Sequence, residues 1–316
     1  MEIRCRRIFG MNAPPAIVVG LGEILWDLLP SGRQLGGAPA NFAYCSHLLG
    51  NRGIVASRIG SDDLGNEVHR RLRQAGIGQD FLQADPTHAT GTVNVELDYQ
   101  GQPSYDITEG AAWDFMEWTD RWQVLAQSAD AVCFGSLAQR SPGSRATILS
   151  FLEATRHDAM RVFDVNLRQQ FYSAVVIQSS LQRANVVKLN HDELLVLRNL
   201  MGLGAAAGPD AEVLMCQELI AKFELRLACV TYGANGSLIC DRENTHRHPG
   251  FHVAVSDTVG AGDAFTAGLV HALLSGESLA AMNDLANRMG AWVASYPGAM
   301  PRLPEVGLER SLMRLG

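Results

Sequence analysis

The chain reads as a three-layer α/β/α sandwich that carries a small separate β-sheet, and three observations point there. Short apolar, β-branched runs recur along most of the 316 residues. Between them lie segments whose apolar residues return every three or four positions. Two stretches break that rhythm. The runs are "AIVVG" (16–20), "GIVASRIG" (53–60), "DAVCFG" (130–135), "RVFDVN" (161–166), "ANVVKLN" (184–190) and "LACVTYG" (227–233). Runs of this kind suit strands buried on both faces. The intervening "PANFAYCSHLLG", "DLGNEVHRRLRQAG", "GSRATILSFLEATR", "HDELLVLRNLMG" and "DAEVLMCQELIAKF" are helical in period. Strand then helix, repeated, predicts a mainly parallel sheet with helices on both sides.

The exceptions predict the second sheet. In "GTVNVELDYQGQPSYDI" (91–107), Val93, Val95 and Leu97 alternate with Asn94, Glu96 and Asp98, and Gln100-Gly101-Gln102-Pro103 supplies a turn. That is the pattern of a half-exposed antiparallel hairpin. "EILWDLLP" (23–30) is a candidate to join it. "GLGAAAGP" (202–209) follows a helix and reads as a loop. With no internal repeat and no linker rich in Pro, Gly or Ser, residues 16–316 are expected to form one domain behind a tail of residues 1–15, with the accessory strands drawn from 23–35 and 90–110.

Composition narrows the function. An apolar content of 47% fills a large core, and the net charge of -7 without a basic run argues against nucleic-acid or membrane-surface partners. Six scattered cysteines without a C-x-x-C pair read as buried thiols in a reducing compartment. The N-terminus lacks the apolar stretch of a signal peptide, and no run approaches the length of a membrane span. A cytoplasmic location is the expectation.

The chemistry concentrates in "DTVGAGDAFTAG" (257–268). Gly260 and Gly262 permit a tight turn, and Phe265, Leu269 and Leu273, four apart, give the next segment one apolar helical face. Backbone N–H groups converging on a helix start, where the dipole also favours an anion, make a phosphate site. Asp263 beside such a site has two readings: a base that accepts the proton of an attacking hydroxyl, or a helix cap.

"DTVGAGDAFTAGLV" resembles the C-terminal signature of the ribokinase, or PfkB, family of carbohydrate kinases, and "LGGAPANFAYCSHLLG" (35–50) resembles its N-terminal one. "FDVNLRQ", "KLNHDEL" and "TYGANGS" resemble the intervening stretches in the family's order. The likeness spans nearly the whole chain. It implies a ribokinase-like core with a β lid, and phosphate transfer from ATP with Mg2+ to a sugar or nucleoside alcohol. By position it makes Asp263 the general base and the amides of Gly260, Ala261 and Gly262 the anion hole. Asp27, Gly36, Gly37 and Asn41 would contact the sugar, and Arg168 would hold phosphate charge or an acidic substrate. Asn190 and Glu193 would link to magnesium and phosphate, although Leu189 stands where the family has Pro. Thr231, Gly233 and Gly236 would line the nucleotide phosphates, and Asn287 would meet adenine. Asp257 with the carbonyls of Val259, Val293 and Gly298 would form a monovalent-cation (K+) loop.

Each site residue has a plain alternative: a strand residue facing water for Asp27, a helix cap for Asn41 and Asn190, a surface side chain for Arg168, a turn for the glycines, Val293 and Gly298. Rival motifs fare worse. "GLGEIL" (20–25) opens like a dinucleotide fingerprint, but Leu25 occupies the third glycine position. No Gly-Lys pair occurs, which excludes a Walker-A loop. His246, His248 and His252 in "HRHPGFH" are the best zinc alternative, set against an exposed loop before "FHVAV".

"GEILWDLLPSG", "GGAPANFA" and "YDITEGAAWD" resemble fructokinase-type members of the family most, which makes fructose the expected acceptor. A 2-keto-3-deoxy sugar acid, ribose or a nucleoside are the other acceptors, and a non-catalytic carbohydrate-binding regulator is the alternative outside catalysis. The apolar stripe of Val93, Val95 and Leu97 must be buried against the pocket, the body or another copy, and predicts a homodimer through the lids.

Overall fold

The computed structural model describes residues 14–29, 32–97, 103–204, 208 and 210–315. Nine strands form the main sheet: β1 (Ile17–Leu21), β4 (Arg52–Gly60), β5 (Leu82–Asp85), β8 (Ala131–Phe134), β9 (Met160–Asp164), β10 (Val186–Asn190), β11 (Leu227–Thr231), β12 (Ser237–Cys240) and β13 (Thr245–His248). Their order is β13-β12-β11-β10-β9-β8-β1-β4-β5. The pairs from β11 to β5 are parallel, and β12 and β13 close one edge antiparallel.

Period-two alternation sends successive strand residues into different layers. Val19, Val132, Phe163 and Val187 pack into one core with the helices α3 (Asp120–Ser128), α4 (Pro142–Ala154), α5 (Ala174–Leu181), α6 (His191–Met201) and α7 (Ala211–Phe223). Their neighbours Val18, Cys133, Val162 and Val186 pack into the other, with α1 (Ala38–Leu48), α2 (Asp63–Gln74), α8 (Ala261–Leu274), α9 (Leu279–Ala294) and α10 (Leu308–Met313). Such two-sided burial is why these strands carry continuous apolar runs. The expected three layers are present.

A four-stranded sheet stands apart, in the order β3-β2-β6-β7, from β2 (Leu25–Leu29), β3 (Gly32–Gly36), β6 (Gly91–Leu97) and β7 (Pro103–Ile107). The β6-β7 pair is antiparallel, as the alternation predicts. The Gln100-Gly101-Gln102 turn, the first thirteen residues and most of 205–209 lie outside the described residues. Val93 is buried and lines the cleft beneath this sheet with Leu25 and Ile107. The pocket thus covers Val93 without a second copy; the side chains of Val95 and Leu97 lie outside the described residues.

Two local readings change. Residues 245–248, expected as exposed loop, are the edge strand β13, while 251–255 form no strand. β5 and β12 also join the sheet without having announced themselves by an apolar run. Among the described residues, no helix is long and apolar enough to cross a membrane.

Candidate active site

A cleft of about 910 Å³ opens between the lid sheet and the C-terminal ends of the parallel strands, where open α/β sheets place their ligands. It brings together all the sequence-predicted residues except Gly36 and the cation-loop positions Val293 and Gly298. Gly36 sits just behind: a Cβ there would lie 2.6 Å from Asp27 Oδ2, so a side chain at this position would push that carboxylate aside. Across β2 and β3, Asp27 pairs with Gln34.

Asp263 stands in the first turn of α8 but does not cap it. The cap position belongs to Gly260, in the left-handed conformation (φ 77°) and without a side-chain hydrogen bond. A Cβ at Gly260 would meet Ala299 Cβ at 2.4 Å. The Asp263 carboxyl instead accepts a 2.8 Å hydrogen bond from Asn41 Nδ2. Burial, with the nearby Asp164 charge, pushes its pKa up to about 6, against the pull of Asn41, Lys188 and Arg168. Asn41 lies inside α1 and is not a cap either; Gly37 precedes the helix. Asp27 is half-buried rather than facing water, and burial raises its pKa to about 6 despite Arg168.

The anion turn needs one correction. The N–H of Ala261 bonds Thr258 O at 3.2 Å, closing the turn, so it is not open to a ligand. The amides of Gly262 and Asp263, in the first helical turn, have no intrahelical carbonyl to reach. Beneath them lies Lys188, one of only two lysines. It is buried, pairs with Asp164 on the neighbouring strand at 3.1 Å, and would lie 3.1 Å from a Cβ at Gly262. Burial works against its charge, yet Asp164, Glu193 and Asp263 together hold its pKa above the ordinary value. Thr266 Oγ1 lies within hydrogen-bond reach of both Asp164 Oδ2 (2.9 Å) and Gly262 O (3.0 Å), its one proton serving either, and so links this ion pair to the turn. Sequence reasoning passed over Lys188, Asp164 and Thr266; a lysine inside an apolar strand was the available signal.

On the other flank Asn190 does cap α6, in a reciprocal capping box with Glu193. Glu193 Oε2 accepts from Asn190 N (2.8 Å) and Oε1 from Leu167 N (2.8 Å), so both its oxygens are engaged. Thr231 ends β11, and Gly233 and Gly236 bracket the short turn that follows. Asn287 is buried, donating to Ser237 Oγ (2.7 Å) and to Asn283 O (2.7 Å). Arg168 is exposed at the mouth and bonds Leu167 O.

Asp257 gathers two of its three expected loop partners. Its carboxyl oxygens accept from the N–H groups of Val259 (3.0 Å) and Gly298 (3.1 Å), whereas the Val293 carbonyl is taken by Tyr296 N. The histidines do not converge. His246 bonds Asn283, His248 Nδ1 accepts from Gly250 N–H, and among the described residues no three His, Cys, Asp or Glu side chains are placed to hold a metal.

A parallel-sheet cleft with open amides at a helix start and a carboxyl held by Asn41 beside them fits a phosphoryl-transfer enzyme of the carbohydrate-kinase class. Residues 32–306 match the pfkB family carbohydrate kinase, and the chain belongs to that family. A fructokinase of Escherichia coli is 33% identical over 304 residues, covering 90% of this chain and 95% of that protein. Among solved structures, fructokinase from Vibrio cholerae O395 in a fructose-, ADP- and calcium-bound form shares 25% identity with a TM-score of 0.76, covering 95% of this chain and 98% of that one. Fructokinase with bound ATP from Xylella fastidiosa shares the fold at 24% identity and a TM-score of 0.80, over 95% and 98% of the two chains.

Proposed function

We propose that this carbohydrate kinase transfers the γ-phosphoryl group of ATP to a hydroxyl of fructose, with Asp263 as the general base. The observation that carries the reading is Asp263 itself: held by Asn41, free of any capping duty, and with a pKa near about 6. A base poised just below neutral pH is ionised when the substrate arrives and still basic enough to take a proton in the transition state. The amides of Gly262 and Asp263, backed by the helix dipole, meet the charge that develops on the transferring group. Arg168 adds a mobile cation at the mouth.

Asp27, Gly36, Gly37 and Asn41 take the sugar, and Thr231, Gly233, Gly236 and Asn287 line the nucleotide. Mg2+ supplies charge neutralisation on the phosphates when bound. Both Glu193 oxygens and Asn190 Oδ1 accept one backbone N–H bond each and keep a second lone pair, through which these two residues would hold the ion or a water bound to it. A K+ loop on Asp257 and the carbonyls of Val259, Val293 and Gly298 would share the Val293 carbonyl with the Tyr296 N–H. Fructose rests on the likeness to the fructokinases. A cytoplasmic location fits five buried free thiols. A lid-to-lid dimer would use the edge strands β3 and β7, whose outer hydrogen-bonding groups are unpaired within the lid sheet.

The test is ATP consumption by purified protein against fructose, ribose, adenosine and 2-keto-3-deoxygluconate. The reading expects the highest kcat/KM with fructose. A sugar acid in first place, or no sugar-dependent turnover at all, contradicts it. Sedimentation showing a monomer at every working concentration removes the dimer.

A further inference from the structure

Within the cleft lies a carboxyl with one oxygen that no donor meets. Glu23, in the connection from β1 to β2, is 2% exposed, and its buried Oε2 meets no donor although the residue lines the cleft with Asp27, Asn41 and Asp263. Its backbone is clamped: a Cβ at Gly37 would lie 2.5 Å from Glu23 O and 3.0 Å from Ile24 Cα. The start of α1 therefore sits directly on this connection and fixes the backbone from which the carboxyl projects. A second orphan acceptor accompanies it, since Asn41 spends its Nδ2 on Asp263 while its Oδ1 is buried without a partner.

Buried acceptors are normally met, and an ionised carboxylate can only accept. Two unmet acceptors beside the Asp263 carboxyl call for donors brought from outside. A neutral polyol brings several O–H donors on adjacent carbons and adds no charge. The same surroundings are hostile to an acid. Glu23, Asp27 and Asp263 all line this part of the cleft, while the buried cation, Lys188, is already paired with Asp164 and Arg168 stands exposed at the mouth. Burial, with the Asp263 charge, pushes the Glu23 pKa up to about 7 against the backbone N–H groups of Glu23 and Ala38 and the Arg168 charge, so it is also able to donate when protonated.

We propose that Glu23 is a further acceptor-binding residue, hydrogen-bonded to a hydroxyl of a neutral sugar and selecting against acceptors that carry a carboxylate. This rests on the sugar-kinase reading above. The test uses full-length wild type, Glu23→Ala and Glu23→Gln in steady-state kinase assays, with melting curves as the folding control. Loss of a hydrogen bond to a charged group predicts a rise of about tenfold or more in the fructose KM of Glu23→Ala, with the ATP KM within about twofold of wild type. Glu23→Gln keeps one acceptor and removes the charge, so its kcat/KM ratio of 2-keto-3-deoxygluconate to fructose should rise about tenfold. An unchanged fructose KM in Glu23→Ala, or fructose and ATP KM values that rise together, overturns the proposal. If Glu23→Ala does not fold, an unchanged acid-to-fructose ratio in Glu23→Gln overturns it equally. Wild-type protein that ignores every neutral sugar fails the kinase reading itself, a result visible before any variant is made.

Discussion

At the end of the cleft assigned to the nucleotide, polar side chains already have their partners: Asn190 and Glu193 close a capping box, and Asn287 is held by Ser237 and Asn283. At the end assigned to the sugar they do not. Glu23 Oε2 and Asn41 Oδ1 are buried and unmet, and Glu23, Asp27 and Asp263 all have pKa values pushed up by burial. One end is wired in advance and rigid; the other stores the cost of desolvated acceptors until a polyhydroxy ligand meets them. Perturbed carboxyls gathered in a cleft mark the chemical end.

Substitutions at the two ends should therefore fail in different ways. The largest effect belongs to Asp263→Asn. Loss of a general base predicts a fall in kcat of about 10²- to 10⁴-fold, while the melting temperature should hold or rise near neutral pH, because the side chain caps nothing and a carboxyl whose pKa burial raises is destabilising once ionised. ATP affinity, measured by calorimetry, should hold or improve as a negative charge leaves the phosphate region. Next comes Asn287→Leu, which removes the donor to Ser237 Oγ and Asn283 O and, of this trio's bonds, leaves only the one between Ser237 and Asn283. Its expected cost is about 1–3 kcal/mol of stability, seen in denaturant melts, with the ATP KM rising and the fructose KM unmoved. A rise in the fructose KM equal to that for ATP would blur the division between the ends.

The smallest effect is a pH dependence of stability at Glu23. Its folded pKa, near about 7, lies above the ordinary 4.5, so the folded state binds more protons than the unfolded one between those values. Stability then falls as pH rises through that window. Glu23→Gln, which has no proton to lose, should be the more stable at about pH 8, and the gap should close near about pH 4.5. A gap of equal size at both pH values would contradict the assignment.

How much of this was legible depends on the range of the interaction concerned. The six buried strands announced themselves because a strand covered on both faces must be apolar throughout, and the lid hairpin because one covered on a single face must alternate. β13, "THRH", carries no such mark: at the sheet's edge it needs only backbone pairing with β12. Asp263 and its glycines were legible as a local turn, but whether the carboxyl caps or reacts depended on Asn41, 222 residues away. Lys188 was open to notice as a lysine in an apolar run yet was passed over, because its partner Asp164 becomes a neighbour only through the β9-β10 register. Glu23 read as part of a strand-like segment, and an orphaned oxygen is invisible until the packing around it exists.

The account stands or falls on a carboxylate that must lose its proton before the sugar can be phosphorylated. That is read most directly from kcat/KM for fructose at saturating ATP, followed from about pH 5 to about pH 8. With Asp263 titrating near about 6, the value should fall toward a tenfold loss per unit below that point, and the residual rate of Asp263→Asn should lose that limb of the profile. A wild-type profile that stays flat through pH 6, or a variant that keeps the same acid limb, would contradict the assignment of Asp263 as the base.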